Sequence, residues 1–117
     1  MLAFSFTSDD LAAALIERAR AGVEVRGVFD ESQVKSNTGG EFDALRQAGL
    51  SIYLDGNQDK MHHKVIVIDG KIVITGSYNF SASAETRNDE NLLIIHSPAL
   101  AAQYLAEFER VLAQAQK

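Results

Sequence analysis

The side chains best suited to phosphate chemistry are gathered in one stretch of the chain. They comprise an imidazole, an ammonium, two carboxylates, a hydroxyl, an amide and a glycine: His62, Lys64, Asp69, Gly76, Ser77, Asn79 and Glu90. A neutral imidazole can attack phosphorus to form a covalent intermediate, and a carboxylate can hold its other ring nitrogen. Lysine and amide groups can stabilise charge on the non-bridging oxygens. The set suits phosphodiester cleavage, for which a second acid must protonate the leaving oxygen.

The spacing of the first two residues gives the set a geometric basis. Residues two apart on a strand share a face, so His62 and Lys64 should point the same way and His63 the opposite way. A packing or surface role is therefore expected for His63. A metal site built from His62, His63 and Asp69 is disfavoured, because adjacent strand residues diverge.

A tight turn is predicted to fold the second part of the set back beside the first. Asp69 and Gly70 form a strong turn signal between two apolar runs, which indicates a hairpin. If the following segment is extended, Ser77 and Asn79 share a face, and all these groups can converge on one anion. Gly76 has no side chain, so we expect a phosphate to approach the backbone there.

These residues resemble the signature of the phospholipase D superfamily. The pattern H-x-K-x(4)-D-x(6)-G-S runs from His62 to Ser77, and Asn79 follows it. Glu90, within 88–91, resembles the downstream acidic residue of that family. The stretches 3–7 and 22–26 are similar to those of small bacterial single-motif nucleases, so the resemblance covers essentially the whole chain.

The resemblance implies a role for each residue and a reaction that needs no metal and no cofactor. His62 would be the nucleophile or the acid, and the histidine of a second motif would take the other role. Glu90, which competes with Glu85 and Asp89 for this function, would orient His62. Asp69 would position the motif. The phosphate pocket would be lined by Lys64, Gly76, Ser77 and Asn79.

The chain contains one such motif, whereas the family's site uses two. A homodimer with an isologous interface would supply both motifs, one on each side of the axis. The other solution is a second motif upstream in a longer parent chain. We favour the homodimer.

The pattern of elements predicts an α/β fold in which a mixed sheet is flanked by helices on both faces, as in a phospholipase D-like sandwich. We expect a single domain over 1–117. Helices are predicted after an N-cap at Ser8, around Phe42 to Leu50 and from Pro98 onward, and Ser36 to Gly40 is predicted as a loop. Strands are predicted over 2–6, 23–29, 51–54, 63–68, 71–75 and 90–95, and the fourth is expected to be buried on both faces.

Family members of the small nuclease type usually have another strand and helix before the segment that starts at Leu2. We therefore expect this chain to be truncated at its N-terminus. No signal peptide is recognisable, because Ser8, Asp9 and Asp10 follow too soon. Localisation and export are left open, since an upstream segment is expected.

Composition limits the partners. The chain has 117 residues, no cysteine and a net charge of −5, which argues mildly against a nonspecific nucleic-acid binder. A local positive field is still expected near the motif, where Lys60, His62, His63, Lys64 and Lys71 cluster and Arg87 follows. No apolar run approaches the roughly 18 residues of a membrane span, so stable membrane insertion is not expected.

Three functions are compatible with these observations. The leading hypothesis is a metal-independent nuclease that hydrolyses DNA or RNA through a phosphohistidine intermediate. A second hypothesis keeps the chemistry and changes the substrate to a phospholipid head group, although amphipathic membrane-binding segments are not evident. A third is a non-catalytic domain that only binds nucleic acid, in which losses from the motif would be expected.

Overall fold

A computed structural model describes residues 1–116 of the chain. Six strands form one sheet in the spatial order β3-β2-β1-β4-β5-β6. The strands are β1 (Leu2–Ala3), β2 (Arg26–Phe29), β3 (Ser51–Leu54), β4 (Lys64–Ile68), β5 (Ile72–Gly76) and β6 (Leu92–His96). The helices are α1 (Asp9–Arg20), α2 (Glu31–Ser36), α3 (Phe42–Gln47), α4 (Ala82–Thr86) and α5 (Pro98–Gln114).

Strand direction determines what meets at each end of the sheet. β1, β2 and β3 are parallel, whereas β4, β5 and β6 are each antiparallel to the preceding neighbour in the sheet. The carboxyl ends of β1, β2, β3 and β5 therefore lie at the same end of the sheet as the amino ends of β4 and β6. We call this end the catalytic edge, and the opposite end the hairpin edge.

Helices pack on both faces of the sheet, which confirms the predicted fold class. On one face, a core of aromatic and aliphatic side chains joins β1 to β3 with α1 and α3. On the other face, Val65 and Val73 pack with Phe108 and Val111 of α5. No helix of the described residues 1–116 is long and apolar enough to cross a membrane.

Short polar side chains cap the N-termini of α1 and α5. Ser8 caps α1 through the backbone N–H of Leu11, and Ser97 caps α5 in the same way. Pro98 occupies the first turn of α5, where its missing N–H would have no helical partner. The turn between β4 and β5 is also confirmed: Asp69 has a φ of 55° and Gly70 a φ of 64°, values that a type I′ turn requires.

Three predictions about the elements need correction. Helix α2 was not predicted; it begins where the Asp30 side chain accepts a hydrogen bond from the N–H of Gln33. β1 and β2 are shorter than the alternating patterns around them. β4 is not fully buried on both faces, because Ile66 is only half-buried against the core that includes α1 and α3, and Ile68 is 39% exposed. The sheet is more open farther from that core, where Ile94 on β6 is 60% exposed.

Candidate active site

The sheet topology brings the predicted site residues to the catalytic edge from widely separated parts of the sequence. His62 lies two residues before the start of β4, Ser77 directly follows β5, and Glu90 lies two residues before the start of β6. Because β5 is antiparallel to both neighbours, these three positions meet at one end of the sheet. The hairpin that the sequence predicts is the element that folds Ser77 back toward His62.

His62 is exposed, and its ring lies between an aromatic side chain and an ammonium group. The ring of Phe4 meets the imidazole edge-on, with ring centroids 4.4 Å apart. Nζ of Lys64 lies 3.4 Å from Nδ1 of His62 and donates a hydrogen bond of 3.0 Å to its carbonyl oxygen. The shared face predicted for His62 and Lys64 is thus confirmed.

Lys64 is partly withdrawn from solvent at this edge. Its Nζ lies 5.2 Å from the centroid of the Phe4 ring, within the range of a cation–π contact. Burial lowers the pKa of Lys64 below its ordinary value, and the nearby carboxylate of Glu90 opposes that change. An anion bound beside the ammonium would offset part of its desolvation.

Ser77 and Glu90 are joined to each other. The Ser77 hydroxyl donates to Oε1 of Glu90 at 2.5 Å and accepts from the backbone N–H of Asn91 at 3.0 Å. Asn88 adds a second, weaker hydrogen bond to Glu90. These bonds, that from Ser77 first, lower the pKa of Glu90. In the described chain the hydrogen bonds of Glu90 go to Ser77 and Asn88, so its role in orienting His62 stays a prediction.

Gly76 has a structural purpose that was not predicted. A Cβ at this position would stand 2.2 Å from the carbonyl oxygen of Asn91, and its φ of 152° is one that other residues rarely adopt. The missing side chain thus makes room for the backbone that leads into β6. Asn91 fills the space on the side where a Cβ would stand, so the approach of a phosphate to the backbone at Gly76 stays a prediction.

Asn79 carries a polar atom that the fold does not satisfy. Its Oδ1 is buried and has no hydrogen-bond partner among the described residues. Buried polar atoms are normally paired, so an unpaired one needs an explanation outside the ordinary packing of the chain. The internal packing therefore does not explain why an amide stands here, which keeps Asn79 among the candidate site residues.

Asp69 and His63 do not join the cluster. Asp69 lies at the hairpin edge, roughly 20 Å from His62 at a rise of about 3.3 Å per residue along β4. Its proposed catalytic role is not supported by this position, whereas its positive φ suits a role in the turn. His63 points away from His62, as predicted, and its Nε2 lies 2.9 Å from Oε1 of Glu107 on α5.

Two residues at the catalytic edge were not predicted from the sequence. Phe4 follows β1 and contacts both His62 and Lys64. Asp30 follows β2, is buried, and accepts a hydrogen bond of 2.9 Å from the backbone N–H of Met61, next to His62. The signal available for Asp30 was a carboxylate placed directly after a buried apolar strand.

The sequence of this chain is similar to a phospholipase D-like family profile and to proteins named cardiolipin hydrolase and phospholipase D. A family profile described as "Cardiolipin synthase, PLD-like domain" matches residues 1–112. The mitochondrial cardiolipin hydrolase of Xenopus laevis is 38% identical over 108 residues, which cover 92% of this chain and 51% of that protein. The phospholipase D of Rickettsia prowazekii is 39% identical over 105 residues, which cover 90% and 51% of the two chains. The chain thus spans about half the length of these relatives.

Two solved structures resemble this chain over a larger share of their own length than those relatives do. Nuc from Salmonella typhimurium, described as a phospholipase D family member, superposes with a TM-score of 0.91 at 34% identity, covering 99% of this chain and 78% of Nuc. NucT from Helicobacter pylori gives a TM-score of 0.89 at 27% identity, covering 97% and 77%. The family profile, the identities and the shared fold agree, and the chain belongs to the phospholipase D superfamily.

Proposed function

We propose that this chain forms one half of a metal-independent phosphodiester hydrolase that acts on nucleic acid, and that a second copy completes the site. The observation that carries this proposal is the pairing of His62 with Lys64 at an exposed end of the sheet, Nδ1 to Nζ 3.4 Å apart. An unshielded imidazole beside an ammonium suits attack on a phosphate anion, because the cation attracts the substrate and the imidazole supplies the nucleophile.

In the first step, a ring nitrogen of His62 attacks phosphorus. A P–N bond forms and the P–O bond to the leaving group breaks, and the leaving oxygen takes a proton from a second imidazolium. Lys64 balances the charge on the non-bridging oxygens. Phe4 restricts the ring of His62 to a narrow range of orientations, because its edge-on contact leaves little room for rotation.

In the second step, water replaces the histidine. The second imidazole, now neutral, takes a proton from the water as its oxygen attacks phosphorus, and the P–N bond breaks. His62 is released with the product phosphate monoester. Both copies return to their starting protonation states, so neither a metal nor a redox cofactor is required by the balance of the reaction.

The need for a second copy follows from the positions of the three histidines. His63 is directed toward Glu107 on α5. His96 ends β6 and pairs with Ile72, which places it at the hairpin edge. In the described part of the chain, the catalytic edge thus holds one imidazole suited to the reaction, whereas the mechanism needs two. A two-fold axis beside this edge would bring two His62 side chains together.

Nucleic acid is the substrate we favour, because the stretches 3–7 and 22–26 resemble small bacterial nucleases and the chain covers 78% of Nuc. A phospholipid head group is the second candidate. It is favoured by the identity, 34–39%, to proteins named cardiolipin hydrolase and phospholipase D. The same residues would act on either diester, so the two differ in what surrounds the phosphate.

Cleavage assays in excess EDTA test the chemistry and the substrate together. Wild type, His62→Ala and the matched control His96→Ala are incubated with single-stranded DNA, double-stranded DNA, RNA and cardiolipin vesicles. We expect EDTA-resistant cleavage of nucleic acid that is lost in His62→Ala and kept in His96→Ala. If cardiolipin is the only substrate that is cleaved, the substrate is a phospholipid and not nucleic acid. Inhibition by EDTA, or unchanged cleavage by His62→Ala, would refute the mechanism.

Mixing wild type with His62→Ala tests whether the site is shared. The two proteins are unfolded and refolded together in equal amounts, so that copies associate at random. A site that needs two His62 side chains leaves about a quarter of the activity per total protein, because mixed pairs are inactive. About half would remain if each chain carried a complete site, and that result would contradict the dimeric arrangement.

A further inference from the structure

Asp30 is a buried carboxylate at the catalytic edge that the proposed reaction does not use directly. It is 1% exposed and lies immediately after β2. Its Oδ1 accepts hydrogen bonds from the N–H of Gln33, at 3.0 Å, and from the hydroxyl of Ser32. Its Oδ2 accepts from the backbone N–H of Met61 at 2.9 Å. Both oxygens of Asp30 are thus engaged.

The bond to Met61 reaches the residue that precedes His62. The segment 55–63 contains no helix or strand, so its backbone depends on side chains for support. Met61 is also buried, where it packs with residues of α5. A buried bond from an amide to a carboxylate is stronger than one between neutral groups. Asp30 therefore holds the peptide that joins Lys60 to Met61, one residue before the Cα from which the His62 side chain projects.

We propose that Asp30 is a positioning residue that sets the place of the His62 ring through the N–H of Met61. This inference rests on the proposed function, in which His62 is the nucleophile or the acid. The opposite flank of His62 is held independently, because the carbonyl oxygen of His63 accepts a hydrogen bond of 2.9 Å from the N–H of Phe4. With both flanks held, the backbone at His62 has little freedom.

Asp55 provides a matched control, since it is the other buried carboxylate in this region, with 2% exposure. It accepts hydrogen bonds from the N–H of Glu31, at 2.7 Å, and from the N–H of Asn57, at 3.0 Å. Like Asp30, it supports the start of α2. Asp55 reaches the backbone before His62 only through a second residue, because Asn57 in turn donates a hydrogen bond of 3.0 Å from Nδ2 to the carbonyl oxygen of Lys60. The loss of Asp55 should therefore lower stability and displace His62 less than the loss of Asp30.

Two substitutions separate positioning from capping. Asp30→Asn has nearly the same shape, but its amide nitrogen cannot accept the hydrogen bond of Met61 if its oxygen keeps the cap of α2. Asp30→Ser keeps a good N-cap for Gln33 and is too short to reach Met61. Both variants are compared with Asp55→Asn under conditions in which urea denaturation shows all of them to be folded.

We expect kcat for diester cleavage to fall about 10- to 100-fold in both Asp30 variants, with KM within about twofold, because a misplaced nucleophile weakens the chemical step. Asp55→Asn should keep kcat within about threefold. If the Asp30 variants lose only as much kcat as Asp55→Asn, or if KM rises in place of the fall in kcat, Asp30 is not a positioning residue.

A measurement without substrate keeps this test independent of the proposed function. In NMR spectra, the ring signals of His62 should shift or broaden in Asp30→Ser, the Met61 amide should lose protection from exchange, and the His96 ring should be unchanged. Unchanged His62 signals would overturn the inference. If wild type cleaves no diester while the His62 signals respond as expected, the proposed function fails and the placement of His62 by Asp30 is supported.

Discussion

Substituting Gly76 tests how the two halves of the motif are joined. In Gly76→Ala, the new Cβ would stand 2.2 Å from the carbonyl oxygen of Asn91, 2.9 Å from its carbonyl carbon and 3.1 Å from Cα of Leu92. Carbon atoms in contact are about 3.5–4.0 Å apart, so the start of β6 must move by roughly 1 Å. All three atoms belong to the backbone, which cannot rotate away as a side chain would.

The loss of stability expected for Gly76→Ala has two parts. A positive φ costs a residue with a Cβ about 1–2 kcal/mol, and forcing a carbon into filled space costs about 1–3 kcal/mol more. We therefore expect Gly76→Ala to lower the free energy of unfolding by about 2–5 kcal/mol. The displacement would also strain the bond of 3.1 Å from the N–H of Ser77 to Asn91, so cleavage should fall as well.

Urea denaturation of Gly76→Ala and Gly22→Ala measures the two parts separately. Gly22 has a φ of 97°, but a Cβ there meets no atom within 4 Å, so this control carries the backbone cost alone, about 1–2 kcal/mol. Equal losses in the two variants would refute the close approach of Asn91. A loss of phosphate affinity in a fully stable Gly76→Ala would instead support the original expectation that phosphate occupies this space.

Two further predictions concern residues outside the cluster. Asp69→Asn should keep the free energy of unfolding within about 0.5 kcal/mol of wild type, because asparagine also tolerates a positive φ at a surface turn. The cleavage rate should also be kept, because the turn is far from His62. A cleavage rate as low as that of His62→Ala would contradict this prediction. Hydrogen bonds from Arg110 first, and then from His63, lower the pKa of Glu107 from 4.5 to about 2. Since the folded pKa lies below the unfolded one, this stabilisation is present above pH 4.5 and is lost as the pH falls toward 2. The difference between the urea midpoints of wild type and Glu107→Gln should therefore shrink as the pH falls over that range. A difference that is independent of pH would disprove the link between the pKa of Glu107 and stability.

The residues around the motif show why the sequence was informative about the chemistry. His62 and Lys64 lie on the same side, as alternation along a strand predicts, although His62 precedes β4. The turn at Asp69 and Gly70 depends only on the local preference for a positive φ. The resemblance to a known family placed the same residues in one site. Such local rules do not depend on the rest of the fold, and they were confirmed.

The sequence was less informative where a local pattern has more than one use. A glycine in a phosphate-binding motif and a glycine that admits a neighbouring backbone look the same in sequence, and only the structure shows that Gly76 makes room for Asn91. The apolar run in β4 predicts burial on both faces, whereas Ile66 is half-buried and Ile68 is 39% exposed, because α1 and α3 pack mainly over β1 to β3. Coverage by a distant helix leaves no local trace in a strand.

The sequence by itself predicted the candidate reacting groups, and it determined the turn that brings Ser77 back toward His62 and the helices whose caps are set by neighbouring residues. Those features depend on interactions within a few positions. Only the tertiary structure decided that Phe4 contacts His62 and that Asp30 accepts a hydrogen bond from the N–H of Met61, the residue before His62. These contacts join strands that are distant in sequence, and strand order and direction, which no local pattern encodes, bring them to one edge.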